Sequence, residues 1–263
     1  MTLAGFDRRD LGMVLSLFRM ALGDRFLGSA LGLIWAVLAP LMLMGIFVFV
    51  FTFVFPGRLP GRDGTLPFVI WLISGYGPWL GISEGLSSAT TSVTSNSGIV
   101  KNIAFKSELL PVVGAMLGLV PLSVGLSMVV VLKLVSGEGL SWAVIAVPVV
   151  IALQLLFVSG LGLFLSALNV FVRDTAIALP SVLTILLFAS PIFYPLTAYP
   201  AAIRTILIFN PFYVLAECYR APLLVGSFPP IWMLIYLAVF SGVLIAGGLW
   251  WFRRLKSFFD TRL

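Results

Sequence analysis

Long charge-free apolar runs, separated by short charged or polar segments, make up most of this chain. Six runs reach the roughly 20 apolar residues that a membrane-spanning helix needs. They are Phe26–Gly57, Gly64–Ser83, Leu109–Leu132, Gly139–Val172, Thr175–Ile203 and Ala221–Phe252. Only helices and closed barrels satisfy the backbone in lipid, and these runs lack the alternation of barrel strands. The pattern predicts an all-α integral membrane protein, a single domain over 1–263, with six transmembrane helices at about 30–55, 66–88, 110–134, 140–169, 175–196 and 230–252.

The charged residues between the runs indicate which side of the membrane each segment faces. Six spans place both termini on one side. With that arrangement, eleven of the 16 Lys and Arg residues fall on the side of the termini and five on the other. Because cytoplasmic segments carry the excess of Lys and Arg, both termini are predicted to be cytoplasmic. The segments Glu84–Glu108 and Asn169–Thr175 are then cytoplasmic too.

Two segments on the predicted cytoplasmic side do not fit simple spans. In 8–26, apolar residues such as Leu11, Val14 and Phe18 recur at helical spacing, with charges elsewhere on the wheel. This pattern predicts an amphipathic helix on the inner membrane surface, the alternative being an ordinary helix packed on its neighbours. The segment 92–108 is polar and long enough for a short helix with connectors. Loops of that length are often functional, and a plain solvated loop is the alternative.

A third segment, 195–229, lies on the predicted outer side. It is amphiphilic, and Pro200 and Pro211 divide it into halves that are too short to cross the membrane. Such a segment predicts a re-entrant helical pair between spans five and six, because irregular backbone at membrane depth must be covered by protein or line a wet cavity. Glu217 and Arg220 are three residues apart and can pair on one helix face.

Composition narrows the classes of function. The chain is 60% hydrophobic and only 10% charged, with a mean hydropathy of +1.14, whereas soluble domains carry about 25% charged residues. The net charge of +6 is an orientation signal in such a chain, so no nucleic-acid partner is expected. One cysteine, Cys218, and no histidine exclude a Cys/His metal site and a histidine base. We therefore expect no catalytic residues, metal site or cofactor in this chain.

The sequence also lacks the usual means of powering transport. It contains no G-x-x-x-x-G-K-[ST] phosphate-binding loop. The interiors of the six runs hold no charged residue, which argues against a proton-coupled or ion-coupled carrier. Energy for any transport must then come from elsewhere. A membrane enzyme of lipid-linked sugar metabolism is a weaker alternative, since it needs clustered carboxylates or a basic cluster and the acidic residues are scattered.

Several aromatic residues stand beside helix breakers. Tyr76 and Trp79 occur in SGYGPW, and Phe193 and Tyr194 occur in SPIFYP. Flat rings stack on sugar faces while their polar atoms stay hydrogen-bonded, which makes these residues candidates for the lining of a glycan path. The alternative is anchoring at the membrane interface, where aromatic residues are enriched.

Blocks of sequence spread over nearly the whole chain carry a resemblance. They are RDLGMVLSLFRMALGDRFLGSALGLIWAVLAPLMLMGIFVFVFTFVF, ISGYGPWLGISEGLSSATTSVTSNSGIVKNIAFKSELLPV, LNVFVRDTAIALPSVLTILLFASPIFYP and FNPFYVLAECYRAPLL. In their order and spacing they resemble the membrane subunit of type-2 ABC transporters that export cell-surface polysaccharides such as O-antigen, capsule or teichoic acid. The chain departs from the family pattern at one point. The usual proline before the acidic residue is replaced in Phe105-Lys106-Ser107-Glu108.

The resemblance implies a division of labour and a set of roles. Two copies of the subunit would form a continuous pore in the bacterial inner membrane, and two separate ATPase subunits, which bind ATP and Mg, would drive export of a lipid-linked polysaccharide. Candidate coupling contacts with the ATPase are Asn96, Lys101, Lys106, Glu108, Arg173 and Asp174. Candidate residues along the substrate path are Trp35, Tyr76, Trp79, Phe193 and Tyr194. Candidate residues of an outer gate are Pro191, Pro200, Asn210, Pro211, Glu217 and Arg220.

Two points stay open on the sequence alone. A type-2 ABC permease for a smaller lipid or drug cargo would share the fold and the coupling and differ in its pore lining, and no residue pattern separates O-antigen from capsule or teichoic acid. The homodimer is implied by the family only, because no GxxxG-type face stands out from the 25 glycines.

Overall fold

The computed structural model describes residues 8–25, 29–54, 64–102, 106–259 and 262, and every regular element within these ranges is helical. The α-helices are α1 (Arg8–Asp24), α2 (Ile34–Phe49), α3 (Thr65–Ser95), α4 (Ser97–Asn102), α5 (Leu109–Leu117), α6 (Leu119–Val135), α7 (Val147–Phe171), α8 (Asp174–Ala189), α9 (Ala201–Leu207), α10 (Pro211–Arg220) and α11 (Ile231–Lys256). Single π-helical turns continue α2 over Val50–Val54 and α10 over Ala221–Val225, and 3₁₀ turns lie at Trp142–Ala146 and Leu196–Ala198.

Five of these helical segments are long and apolar enough to cross a membrane. They are Ile34–Val54, Thr65–Ser95, Leu109–Val135, Trp142–Phe171 and Ile231–Lys256. The all-α, multi-pass membrane architecture expected from the sequence is therefore confirmed.

The predicted fifth span is shorter than expected. Helix α8 has 16 residues, or about 24 Å at 1.5 Å per residue. It ends at Ala189 rather than near 196, because Ser190 is extended (ψ 147°) ahead of Pro191, and a residue before proline is biased away from the helical region. Helices α9 and α10, with the π-turn that continues α10, form a pair bent by 81°.

Helix α3 lies at the centre of the fold and packs through glycines. Gly77, Gly81 and Gly85 are spaced by four residues on it. A Cβ atom on Gly77 would lie 3.1 Å from the Cα of Gly125 on α6, and one on Gly81 would lie 2.9 Å from the carbonyl oxygen of Gly118, between α5 and α6. Small residues allow this approach, and in lipid close packing drives much of helix association. Helix α3 therefore uses a GxxxG-type face for packing within its own chain, and the homodimer stays a prediction.

Helix α3 extends at its C-terminal end beyond its apolar run. The run ends at Ser83, but the helix continues through Glu84 to Ser95, so the predicted cytoplasmic segment begins as helix rather than as a connector. Arg25, just after α1, forms a two-pronged ion pair with Glu84, with Nη2 to Oε2 at 2.8 Å. Several hydroxyl groups of the polar stretch donate to carbonyl groups of their own helix, such as Ser87 to Ser83 at 2.8 Å, and Ser88 donates to the Glu84 carboxylate at 2.7 Å. These contacts let α3 carry polar residues without ending.

Helix α1 combines the two interpretations of the N-terminal segment. Val14 is buried and packs with Leu109 and Val113 of α5. Leu11 and Leu15 on the same helix stay exposed. One narrow apolar stripe therefore docks on the neighbouring helices, and a second leaves apolar side chains free to meet a membrane surface.

Candidate functional site

The turn between α7 and α8 carries the adjacent charges Arg173 and Asp174. Both residues are exposed, and Asp174 is the first residue of α8. The turn is held by Asn169, whose buried side chain donates from Nδ2 to Thr94 Oγ1 at 3.2 Å and accepts from the Ala176 backbone N–H at 3.2 Å. Asn169 was not among the predicted site residues, although an amide near the end of an apolar run was a usable signal. The pair Arg173 and Asp174 is thus presented from a fixed turn.

The end of α3 lies beside this turn. Asn96 follows α3, and its Nδ2 donates to the Ser92 carbonyl at 2.8 Å. Thr91 and Ser95 line two cavities, one of which Asn96 also lines and the other Arg173. The structure therefore brings the predicted residues Asn96 and Arg173 to either side of one short stretch of α3.

The structure describes the side chain of Lys106 but not that of Lys101, the next two predicted coupling residues. Lys101 lies in α4, and its side chain lies outside the described part of the chain. Lys106 forms an ion pair with Asp10 of α1 and is partly exposed. Lys106 thus ties the segment before α5 to the N-terminal helix.

Glu108 is buried and links the start of α5 to the end of α11 through ion pairs. Its carboxylate accepts from Arg253 Nε at 3.3 Å and from Lys256 Nζ at 3.2 Å, near the end of α11. Burial by itself would raise the pKa of Glu108, but a backbone hydrogen bond and the two cations outweigh burial and lower that pKa below its usual value. The carboxylate is thus engaged inside the chain, and a direct contact of Glu108 with the ATPase stays a prediction.

On the opposite side, Asn210 and Pro211 begin helix α10 as a capped turn. Asn210 Oδ1 accepts from the Phe212 backbone N–H at 2.9 Å, and Pro211 occupies the first helical position, where its missing N–H costs nothing. Asn210 Nδ2 also donates to Ser190 Oγ at 3.0 Å. Pro200 stands immediately before α9, which has no side-chain cap. The start of α10, the second helix of the bent pair, is thereby fixed to the end of α8.

The end of α10 is fixed by Arg220, which is buried. Its guanidinium pairs with Glu217 at 2.9 Å, which confirms the predicted pairing. It also donates to the carbonyl oxygens of Ile192 at 2.8 Å and Pro191 at 3.4 Å, and it lies 3.9 Å from the ring centroid of Trp71. A single side chain therefore joins α10, the loop after α8 and helix α3.

A buried chain of hydrogen bonds runs beside Arg220. Tyr219 Oη donates to Gln154 Oε1 at 2.8 Å, and Gln154 Nε2 donates to the Pro78 carbonyl at 3.2 Å. All three residues are buried. These contacts connect α10, α7 and α3, and the sequence analysis missed them, although Gln154 interrupts an apolar run.

Three of the predicted path residues, Tyr76, Trp79 and Phe193, are buried within the single chain. The rings of Tyr76 and Phe193 pack on Phe47 of α2, with centroid distances of 4.6 and 4.5 Å. As wall residues they would contact a polymer only if these helices parted, and that role stays a prediction.

The other two predicted path residues are exposed. Tyr194 is 46% exposed, and its ring meets Phe51 edge-on with a centroid distance of 5.7 Å. Trp35 lies in the first turn of α2 and lines a cleft together with Arg25 and Glu84. These two side chains are accessible without any movement of the helices.

Comparison with known proteins decides the family. The model of the ABC-2 type transporter family matches residues 14–224, which is most of the chain. The chain belongs to the ABC-2 type transporter family. The matched region of this ABC-2 chain runs from α1 through the bent pair, and it includes every predicted site residue.

Three relatives of this ABC-2 chain are each named O-antigen export system permease protein RfbA. The protein from Myxococcus xanthus is 29% identical over 236 residues, covering 89% of this chain and 88% of its own length. One from Klebsiella pneumoniae is 26% identical over 235 residues, covering 88% and 87%. A second from Klebsiella pneumoniae is 24% identical over 189 residues, covering 71% and 70%. The similarity thus extends over most of both chains in each case.

Proposed function

We propose that this chain is the pore-forming membrane subunit of an ATP-driven exporter that moves a lipid-linked polysaccharide of the O-antigen type out of the cytoplasm. The observation that carries the proposal is the family membership together with the similarity, over most of both chains, to three proteins named as O-antigen export permeases. The fold agrees with a transport role, because the described residues form membrane helices and the sequence offers no phosphate-binding loop.

The energy source in this proposal is a pair of separate ATPase subunits that bind ATP and Mg. They contact the cytoplasmic face at the α7–α8 turn, through Arg173 and Asp174, and at the end of α3, through Asn96. The exposure of the charge pair and its fixed support by Asn169 favour this surface. Helix α4 lies directly after Asn96 and forms part of the same contact.

Two copies of the chain form the pore in the bacterial inner membrane, with both termini in the cytoplasm and membrane lipids around them. The surface of helix α2 favours contact with lipid or with a second copy of the chain, because most of its apolar side chains are exposed in the single chain, including Ile34, Ile46 and Phe49. Apolar surface of this extent is covered either by lipid or by another protein chain. The bent pair α9 and α10 forms the outer gate, with Arg220 holding it against α8.

The experiment that tests this proposal is affinity purification of the tagged chain from mild detergent, followed by an ATPase assay on the purified material. We expect a nucleotide-binding subunit to co-purify and to hydrolyse ATP in a vanadate-sensitive manner. Adding the lipid-linked glycan should change the hydrolysis rate. A chain that purifies alone, and that no ATPase encoded beside it can bind, would contradict the proposal. Stimulation by drugs or short lipids but not by glycan would contradict the cargo.

A further inference from the structure

One face of α11 changes from apolar to aromatic to cationic near the C-terminal end of the helix. Its residues line a shallow groove of about 690 Å³, and they are Ala246, Leu249, Trp250, Arg253 and Arg254. Their spacing of three and four residues places them on one helix face. The described lining of the groove holds two cations and no carboxylate. A ligand that fits this groove therefore combines negative charge with an apolar part.

The position of the groove along α11 matches the inner boundary of the membrane in the proposed topology. Trp250 is 19 residues after the start of α11 at Ile231, which is about 28 Å along the helix axis. The hydrocarbon core of a bilayer is about 30 Å thick, so the indole ring lies in the boundary layer where tryptophan is enriched. Arg253 and Arg254 follow about 5–6 Å further on, in the layer of the lipid headgroups.

The groove lies on the side of α11 that faces away from α7. Every residue that lines it belongs to α11, and Trp250 is 60% exposed. The next residue, Trp251, instead stacks on Phe164 of α7, with ring centroids 5.5 Å apart. Gly248 lies against the backbone of α7 in the same way. The packed side of α11 is therefore occupied within the chain, and the groove side is open to whatever surrounds the chain.

The cations at this end of α11 are engaged differently. Arg253 and Lys256 form ion pairs with Glu108. Arg254 is exposed, and no carboxylate of the described residues pairs with it. Its guanidinium carbon lies 5.5 Å from the ring centroid of Trp250, which is a cation–π distance. Cations at a helix C-terminus also complement the helix dipole, but the dipole does not account for the ring contact or for the apolar stripe.

We propose that this groove binds an anionic phospholipid of the inner leaflet, such as phosphatidylglycerol. Arg254 binds the phosphate, because the planar fork of a guanidinium matches phosphate oxygens, and the ring of Trp250 holds that guanidinium in place. The acyl chain lies along Leu249 and Ala246, and Arg253 adds positive charge at the rim. A water-soluble anion gains nothing from the apolar stripe. The cytoplasmic leaflet carries the anionic lipids, so the inference goes beyond the proposed function and rests only on its topology.

Lipid binding by the full-length chain, purified in mild detergent, tests this site. The probes are dioleoyl phosphatidylglycerol, dioleoyl phosphatidylcholine and glycerol phosphate, and native mass spectrometry gives the Kd of each bound lipid. Arg254→Gln removes the phosphate ligand, and Arg254→Lys keeps its charge. Arg262→Gln is the matched control, because Arg262 is also an exposed arginine after Trp250 but does not line the groove. Thermal unfolding followed by circular dichroism checks that each variant is folded.

Phosphatidylglycerol should bind the wild-type chain more tightly than phosphatidylcholine does, and glycerol phosphate should not compete. Arg254→Gln should weaken phosphatidylglycerol binding about fivefold, which corresponds to about 1 kcal/mol for one cation near an anionic headgroup. Arg254→Lys should lose less, and Arg262→Gln should bind as the wild type does. Equal losses in Arg254→Gln and Arg262→Gln would reduce the effect to net charge and overturn the site. So would equal affinity for the two lipids, or competition by glycerol phosphate.

Tryptophan fluorescence tests the location of the lipid. Bromine atoms on acyl chains quench nearby indoles, and Trp250 is one of seven tryptophans in the chain. Trp250→Phe should abolish the part of the quenching that brominated phosphatidylglycerol produces and brominated phosphatidylcholine does not. If that part persisted in Trp250→Phe, the lipid would lie elsewhere and the proposal would be wrong.

Two further outcomes separate this inference from the alternatives. If Arg254→Gln abolished co-purification of an ATPase and left phosphatidylglycerol binding unchanged, the groove would be a protein contact and the lipid site would be rejected. A strain that exports glycan normally, with a chain that binds both lipids equally, would reject the lipid site and leave the proposed function intact. Selective phosphatidylglycerol binding by a chain whose loss leaves surface glycan normal would support the lipid site and reject the proposed function.

Discussion

Helices α7 and α11 pack so closely that alanine substitutions at two glycines of α11, Gly242 and Gly248, should have different effects on stability. A Cβ atom on Gly248 would lie 2.6 Å from the carbonyl oxygen of Gly160 and 3.0 Å from Leu163 Cβ, whereas ordinary contacts begin at 3.4 Å. The nearest obstacle is backbone, so no side-chain rotation relieves it. A Cβ atom on Gly242, six residues earlier, meets nothing within 4 Å.

Gly248→Ala therefore forces α7 and α11 apart by about 0.8 Å at this point, from 2.6 Å to the 3.4 Å of ordinary contact. Overpacking of this kind costs about 1–3 kcal/mol, and Gly→Ala in a helix returns about 0.5–1 kcal/mol of that. For a chain of this size each kcal/mol shifts Tm by about 2–4 °C. We expect Gly248→Ala to lower Tm by a few degrees and Gly242→Ala to leave it unchanged or slightly raised.

The assay is thermal unfolding in mild detergent, followed by circular dichroism at one scan rate for all variants. Gly160→Ala, in which the new Cβ would lie 2.7 Å from the backbone carbon of Leu244, should behave like Gly248→Ala. If Gly248→Ala and Gly242→Ala melted at the same temperature, the reasoning from backbone contact between α7 and α11 would be refuted.

Three further predictions follow from single side chains. Arg220→Met removes the donor to the Ile192 carbonyl, so it should cost about 2–4 kcal/mol of stability. Arg220→Lys should restore only part of that stability, because an ammonium cannot reproduce the planar fork of a guanidinium. Equal melting temperatures of Arg220→Met and the wild-type protein would contradict this prediction. Glu108→Gln should lower stability at pH 7 by about 1–3 kcal/mol. Because the pKa of Glu108 is lowered in the folded state, its ionised carboxylate stabilises the fold above the usual pKa of 4.5, and this stabilisation is lost as the pH falls through the folded pKa. The difference in melting temperature between Glu108→Gln and the wild-type protein should therefore shrink below pH 4.5. A difference that did not change with pH would contradict this prediction. Arg173→Glu should weaken ATPase association or uncouple ATP hydrolysis from export, and it should leave membrane insertion intact. Ser257→Glu is the control at another exposed position. If Arg173→Glu left both export and ATPase stimulation unchanged, Arg173 would be an ordinary turn residue.

The membrane fold was predictable because lipid imposes strong rules on sequence. Long apolar runs can only be helices, and their charge-free length located most spans. The failures occurred where local chemistry overrides that length. Pro191 ends α8 early by restricting Ser190, and the ion pair of Glu84 with Arg25 carries α3 beyond its apolar run.

Tertiary contacts at the candidate sites were predictable only when they were local. The pairing of Glu217 with Arg220 follows from helical spacing and is confirmed. The ion pairs of Glu108 with Arg253 and Lys256 join residues that are 145 and 148 positions apart in the sequence, and no periodicity in the sequence indicates such contacts. Asn169 was visible as a polar residue in an apolar run, but its partner Thr94 was not.

The central proposal is that this chain moves a lipid-linked polysaccharide across the inner membrane, and the most direct test is the location of that glycan in cells. A strain lacking the chain is compared with the same strain carrying a wild-type copy, and lipid-linked glycan is quantified inside spheroplasts and on the cell surface. We predict that the strain lacking the chain accumulates glycan on the cytoplasmic side and loses it from the surface, and that the wild-type copy reverses both. Normal surface glycan in the strain without the chain would contradict the claim.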